Sequence, residues 1–149
     1  MTQLSDHFSL EEFCFSSLAV RRRIDNAPNP DQLANLTVLA QSLERIRKVL
    51  GHPMHIDSGF RSVKLNIAVG GSKTSAHMDG RAADFVCPAF GSPIDVAVAI
   101  QDASVPFDQL IFEGTWVHFA IPAPDKDPRG DVLTAHFTQG GTTYTDGIA

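Results

Sequence analysis

Cysteine is scarce in this chain: its 149 residues include only Cys14 and Cys87. Two thiols so far apart cannot form a disulfide-dense scaffold, and the same shortage argues against a structural zinc site closed by sulfur-rich ligands. Long apolar runs are missing too. No stretch could span a bilayer, and the start, Met-Thr-Gln-Leu-Ser-Asp-His, has neither the basic residues nor the apolar segment of an export signal. These features predict a soluble, uncleaved, cytoplasmic chain, a monomer with reduced thiols and no membrane insertion. Positive charge is not in excess either: 12 Lys and Arg against 17 Asp and Glu leave a net charge of −5. That gives nucleic acid no general attraction. The one basic run, Arg21-Arg22-Arg23, reads as a solvated helix end or loop. Repeats and low-complexity tracts are absent, and 43% hydrophobic with 19% charged residues excludes disorder, collagen-like repeats and coiled coil. The length suits a single domain, residues 1–149.

The elements can be read in order. Phe8-Ser9-Leu10-Glu11-Glu12-Phe13 is a helix start, with Ser9 as cap, Glu12 returning the capping-box bond and Phe8 stapled to Phe13. Asn29 caps the longest helix, Pro30 takes its first position, and Gly51 stops it. Leu33, Leu36, Ala40, Leu43 and Ile46, with Leu39 and Leu50 beside them, form a core-facing stripe. A helical part thus covers about 1–51. Strands are expected over 54–60, 82–86, 108–113, 116–121 and 132–138, short helices after Ser62 and Ser92, a polar loop over 71–79, and a flexible tail over 139–149. This is an α+β pattern with a small antiparallel sheet and flanking helices.

Ser75-Ala-His77 and Gly80-Arg-Ala-Ala-Asp84, answered by Trp116-Val-His118, supply two imidazoles and a carboxylate. Catalytic zinc characteristically takes three ligands of these types and keeps a fourth position open. Gly80 lets the chain turn between His77 and Asp84. His7, His52, His55 and His136 have no partners at metal-ligand spacing, and an odd offset from Asp84 along one strand turns Cys87 to the opposite face.

These segments, with Ser58-Gly-Phe-Arg61-Ser62, Leu65-Asn66, Val69-Gly-Gly71 and Asp108-Gln-Leu-Ile111, resemble the M15 family of zinc peptidoglycan peptidases, the D-Ala-D-Ala carboxypeptidase and endolysin group. The lead-in from Phe8 to Gly51 resembles the N-terminal part of phage and prophage members. The resemblance implies a hedgehog/DD-peptidase-like fold, one Zn2+ held by His77, Asp84 and His118 in a metal-site core over about 54–138, and bacterial peptidoglycan as partner. It also implies that Arg61 stabilises a carbonyl oxygen or a substrate carboxylate. Ser75 is placed either to bind substrate or to orient its loop, and Trp116 either in the core or in the cleft wall.

The hairpin supplies a candidate general base. The commoner family pattern has a Glu three positions before the last His, where this chain has Thr115. Gly114-Thr115 reads as a two-residue type II′ turn, so Glu113 opposes Trp116 and Ile111 opposes His118. Glu113 then shares a face with His118, on a diagonal of roughly 7 to 8 Å between Cα atoms, close enough to serve an activated water without binding the metal. The expectation is a zinc metallopeptidase acting on stem peptides or cross-links, in the manner of a bacteriophage endolysin that reaches the cell wall after membrane permeabilisation. The alternative is a catalytically inactive zinc-containing module of the same fold that binds cell-wall peptide or a protein; a structural metal domain fits least, since the ligand count leaves an open position.

Overall fold

Capping chemistry starts the helices where the sequence places it. In the structure, a computed structural model that describes residues 2–148, Ser9 Oγ accepts from the Glu12 N–H at the head of α1 (Leu10–Cys14), and the Glu12 carboxylate accepts in return from the Ser9 N–H. The Phe8 and Phe13 ring centroids lie 6.0 Å apart. Ser16 caps a further short helix, α2 (Ser17–Arg22), that the sequence expectations do not separate from the first, and the basic run forms its exposed end. In α3 (Pro30–Leu50), Asn29 and Gln32 cap each other and Gly51 ends the helix in the left-handed region, φ 69°. Leu36, Leu39, Leu43, Ile46 and Leu50 are buried, while Leu33 sits at the stripe's edge. Each such side chain contributes about 1.5–3 kcal/mol, more than propensity supplies, so packing holds this helix.

Among the described residues six strands form one sheet: β1 (His55–Ser58), β2 (Ala82–Val86), β3 (Gln109–Phe112), β4 (Val117–Ala120), β5 (Asp131–Thr138) and β6 (Gly141–Asp146), in the order β1-β2-β4-β3-β5-β6. Helix α4 (Val63–Ala68) follows β1, and α5 (Pro93–Asp102) joins β2 to β3. The fold is α+β, but the sheet is mixed where an antiparallel one is expected, because β5 runs parallel to β3. The β3–β4 hairpin returns the chain to the end where β3 begins. The 122–130 loop is tied there by Gly130 N–H to Phe107 O and by the Arg129 guanidinium on Asp108. From that end β5 can only run alongside β3.

The expected flexible tail is also corrected. Gly141, φ 120°, turns the chain and residues 141–146 pair with β5 as β6. Every β6 residue is exposed, so no burial alternation marks the strand in the sequence.

Alternation divides the rest of the sheet. Ala83, Phe85, Val117 and Phe119 join the core beneath α3 and α5, so Asp84 and His118 project from the opposite face. No helix among the described residues is long and apolar enough to cross a membrane.

Candidate metal centre

His77 lies on a single 3-10 turn, Ala76–Asp79, inside the expected polar loop. Helix α3 holds that turn: Gln32 Nε2 donates to Met78 O at 3.1 Å and Asn35 Nδ2 to Asp79 O at 2.8 Å. Gly80 closes it at φ 74°, so near α3 that a Cβ there would lie 2.6 Å from Gln32 O. Only glycine satisfies both demands. Ser75 caps the turn, its Oγ accepting from the His77 N–H at 3.2 Å.

The ring of His77 is fully enclosed. Its Nδ1 meets the Gly59 carbonyl at 2.6 Å; that oxygen can only accept, so Nδ1 carries the proton and Nε2 offers its lone pair to the site. Nε2 lies 3.3 Å from Asp84 Oδ2, and His118 Nδ1 lies 2.9 Å from Asp84 Oδ1. The two imidazoles meet at 67° with centroids 5.1 Å apart. Strand register makes this possible, because Ser58, Asp84, His118 and Ile111 pair in one row across β1, β2, β4 and β3.

One potential ligand atom from each of His77, Asp84 and His118 lies within 4.8 Å of the others. Burial lowers the His77 pKa and keeps the ring neutral, as a ligand must be. Burial alone would raise the Asp84 carboxyl, but the hydrogen bond with His118 Nδ1 outweighs it and holds the group ionised, well below the usual carboxylate range. Two imidazole nitrogens and a carboxylate, with one imidazole fixed from behind by a backbone carbonyl, fit a zinc-type divalent ion and leave a coordination position for water or substrate.

Around this centre lies a cleft of about 720 Å3, and all seven sequence-expected residues line it: His77, Asp84, His118, Arg61, Ser75, Glu113 and Trp116. Arg61 is anchored by its N–H to His77 O at 3.1 Å, and its Nε is buried with no hydrogen-bond partner among the described residues. Burial depresses the guanidinium's pKa against the pull of Asp84 and Glu113. The hairpin register is the expected one, with Ile111 opposite His118 and the Glu113 N–H donating to Trp116 O at 3.0 Å. Its turn is tighter than type II′: the Thr115 N–H donates to Glu113 O at 3.0 Å, closing a γ-turn around Gly114 at φ 82°. Trp116 stands in the cleft wall, and its Nε1–H donates to Glu113 Oε2 at 2.6 Å. Burial, then the nearby Asp84 charge, raises the Glu113 carboxyl.

A family model for peptidase M15 matches residues 6–120. The chain belongs to the peptidase M15 family. A 52-residue stretch is 44% identical to the zinc D-Ala-D-Ala carboxypeptidase of Streptomyces albus G, covering 34% of this chain and 20% of that relative. The M15 match ends on the last residue of β4, so the β5–β6 hairpin lies beyond it.

Sequence reasoning missed three contributors. The Gly59 carbonyl is invisible as a residue type, although a Cβ on Gly59 would lie 2.5 Å from Phe13 O, so close packing against α1 fixes it. Phe137 and Tyr144 also line the cleft; an exposed aromatic pair on a hairpin carries no sequence signature. The remaining histidines stand apart from the centre. His7 bonds Glu44 at 2.6 Å, His55 faces Asp57 at 3.5 Å, and His136 bonds Thr145 at 2.9 Å. Cys87 is buried, with Sγ donating to Pro53 O.

Proposed function

We propose that this M15 protein is a zinc-dependent peptidase that hydrolyses an amide bond in the stem peptides or cross-links of bacterial peptidoglycan. The observation that carries the reading is the convergence of His77, Asp84 and His118 to within 4.8 Å on the floor of a cleft that Glu113 and Arg61 also line. The M15 family and the carboxypeptidase relative support it. A zinc ion held by these residues would supply Lewis acidity and lower the pKa of a bound water towards neutrality.

The chain's own groups do the rest. Glu113 accepts the proton of the attacking water as the new C–O bond forms, then passes it to the amine nitrogen as the C–N bond breaks. Its raised proton affinity suits both transfers, and the Trp116 indole holds the carboxylate in place. Arg61 offers a fixed guanidinium to the carbonyl oxygen or to a substrate carboxylate. In the finer reading, resting on the resemblance of Phe8 to Gly51, the enzyme is a phage or prophage endolysin. Mass spectrometry of sacculi digested by the purified protein tests the function and identifies the bond. Efficient cleavage of casein beside inert sacculi would overturn it, and a fully zinc-loaded protein without turnover would indicate a binding module.

A further inference from the structure

The β5–β6 hairpin, outside residues 6–120, supplies one wall of the cleft through Leu133, Phe137 and Tyr144. Phe137 and Tyr144 are 58% and 52% exposed, and the Phe137 ring meets Trp116 at 5.9 Å. Ala135 pairs with Tyr144, and Phe137 with Thr142, so both rings stand on one face, on a diagonal of roughly 7 to 8 Å between Cα atoms. Continuing the β3–β5 register beyond Phe112 and Thr134 sets Glu113 beside Ala135, and Ala135 pairs with Tyr144, so one small residue separates the acid from the phenol. Burial, and then the Glu113 charge, raises the Tyr144 pKa and keeps the phenol neutral.

From Val132 to Thr145 there is no Lys, Arg, Asp or Glu, and Thr142, paired with Phe137, shares the face of the two rings with the Tyr144 hydroxyl. A stem peptide carries carboxylates and would be met by charge; a pyranose ring, with apolar C–H faces and a hydroxyl rim, matches aromatic faces beside neutral hydroxyls. We propose that Phe137 and Tyr144 form a sugar-binding platform that stacks on a glycan ring adjoining the stem peptide. This rests on the peptidoglycan reading above. Two strand spacings, about 10 Å, separate Tyr144 from Glu113, a distance that about three extended residues cover.

The test uses the full chain and its Phe137→Ala/Tyr144→Ala variant, with folding checked by thermal melting. Muramidase-released muropeptides supply sugar-linked substrate, and amidase treatment of the same sacculi supplies both sugar-free peptides and peptide-free glycan strands. The ratio of kcat/KM for sugar-linked over sugar-free peptide should fall about tenfold in the variant, the scale of one aromatic contact, and calorimetric binding of the glycan strands should weaken with it. An equal fall on both substrates would assign the platform to peptide and overturn the proposal, as would unchanged glycan binding. Failure of the wild-type protein to cut either substrate would sink the peptidase reading, while the glycan-binding arm would still decide the platform.

Discussion

Replacing Glu113 with Gln changes one atom of the side chain and removes its ability to take a proton. The amide oxygen can still accept from Trp116 Nε1, which sits 2.6 Å from the present carboxylate, so the group should keep its position. The lost charge costs little in stability, since burial and the Asp84 charge already oppose ionisation at this site. A charge-assisted bond becoming a neutral one is worth about 1 kcal/mol, a shift in Tm of roughly 2–4 °C for a chain of this length. Catalysis should respond on another scale. Losing a general base costs on the order of 100- to 10,000-fold in rate, or about 2.7–5.5 kcal/mol of barrier. Zinc content by elemental analysis should match wild type, while kcat on muropeptides should fall by at least two orders of magnitude. Thr115→Ala, at the commoner family position of the acid, should do far less. A Glu113→Gln enzyme that keeps its zinc and turns over near the wild-type rate would refute the assignment.

Three further outcomes are expected. His77→Ala combined with His118→Ala should abolish stoichiometric zinc binding in equilibrium dialysis; full occupancy in that variant would place the metal elsewhere. Gly80→Ala should cost about 2–5 kcal/mol, from left-handed strain of about 1–2 and crowding against Gln32 of about 1–3, and should weaken zinc affinity because the turn carries His77. Gly51→Ala, with positive φ but nothing within 4 Å of its Cβ, should lose only the strain in denaturant melts. The third outcome concerns pH. Burial holds the His77 pKa below its unfolded value near 6.5, so the unfolded chain takes that proton first, and the chelator-treated protein should lose stability as pH falls below about 6.5. Glu113 is shifted upward and contributes the opposite slope, while the depressed Asp84 acts only in a lower pH window. Melts of the metal-free Glu113→Gln protein between pH 7.5 and 5.5 isolate the His77 effect, and a flat or rising Tm on acidification would contradict it.

Local chemistry made much of the fold legible in the sequence. Ser9 with Glu12 and Asn29 at the head of α3 set helix starts, and Gly51 ends α3 on Arg47 O, through bonds that span at most one turn, so the information lies within a few residues. The period of two along Ala82–Val86 and Val117–Ala120 likewise separates Phe85 and Phe119 from Asp84 and His118 without reference to the rest of the molecule. The β3–β4 register was readable for the same reason: a short connection beginning with Gly114 leaves little choice of pairing. Tertiary structure decided what depends on partners distant in the chain. Whether β5 lies parallel to β3 follows from where the 122–130 loop is tied down by Asp108 and Phe107, and β6 exists as a strand only because β5 is there to pair with it. The tautomer of His77 is set by a carbonyl 18 positions earlier, at Gly59, because a backbone oxygen carries no residue-type signal and acts only once packing brings it to the ring.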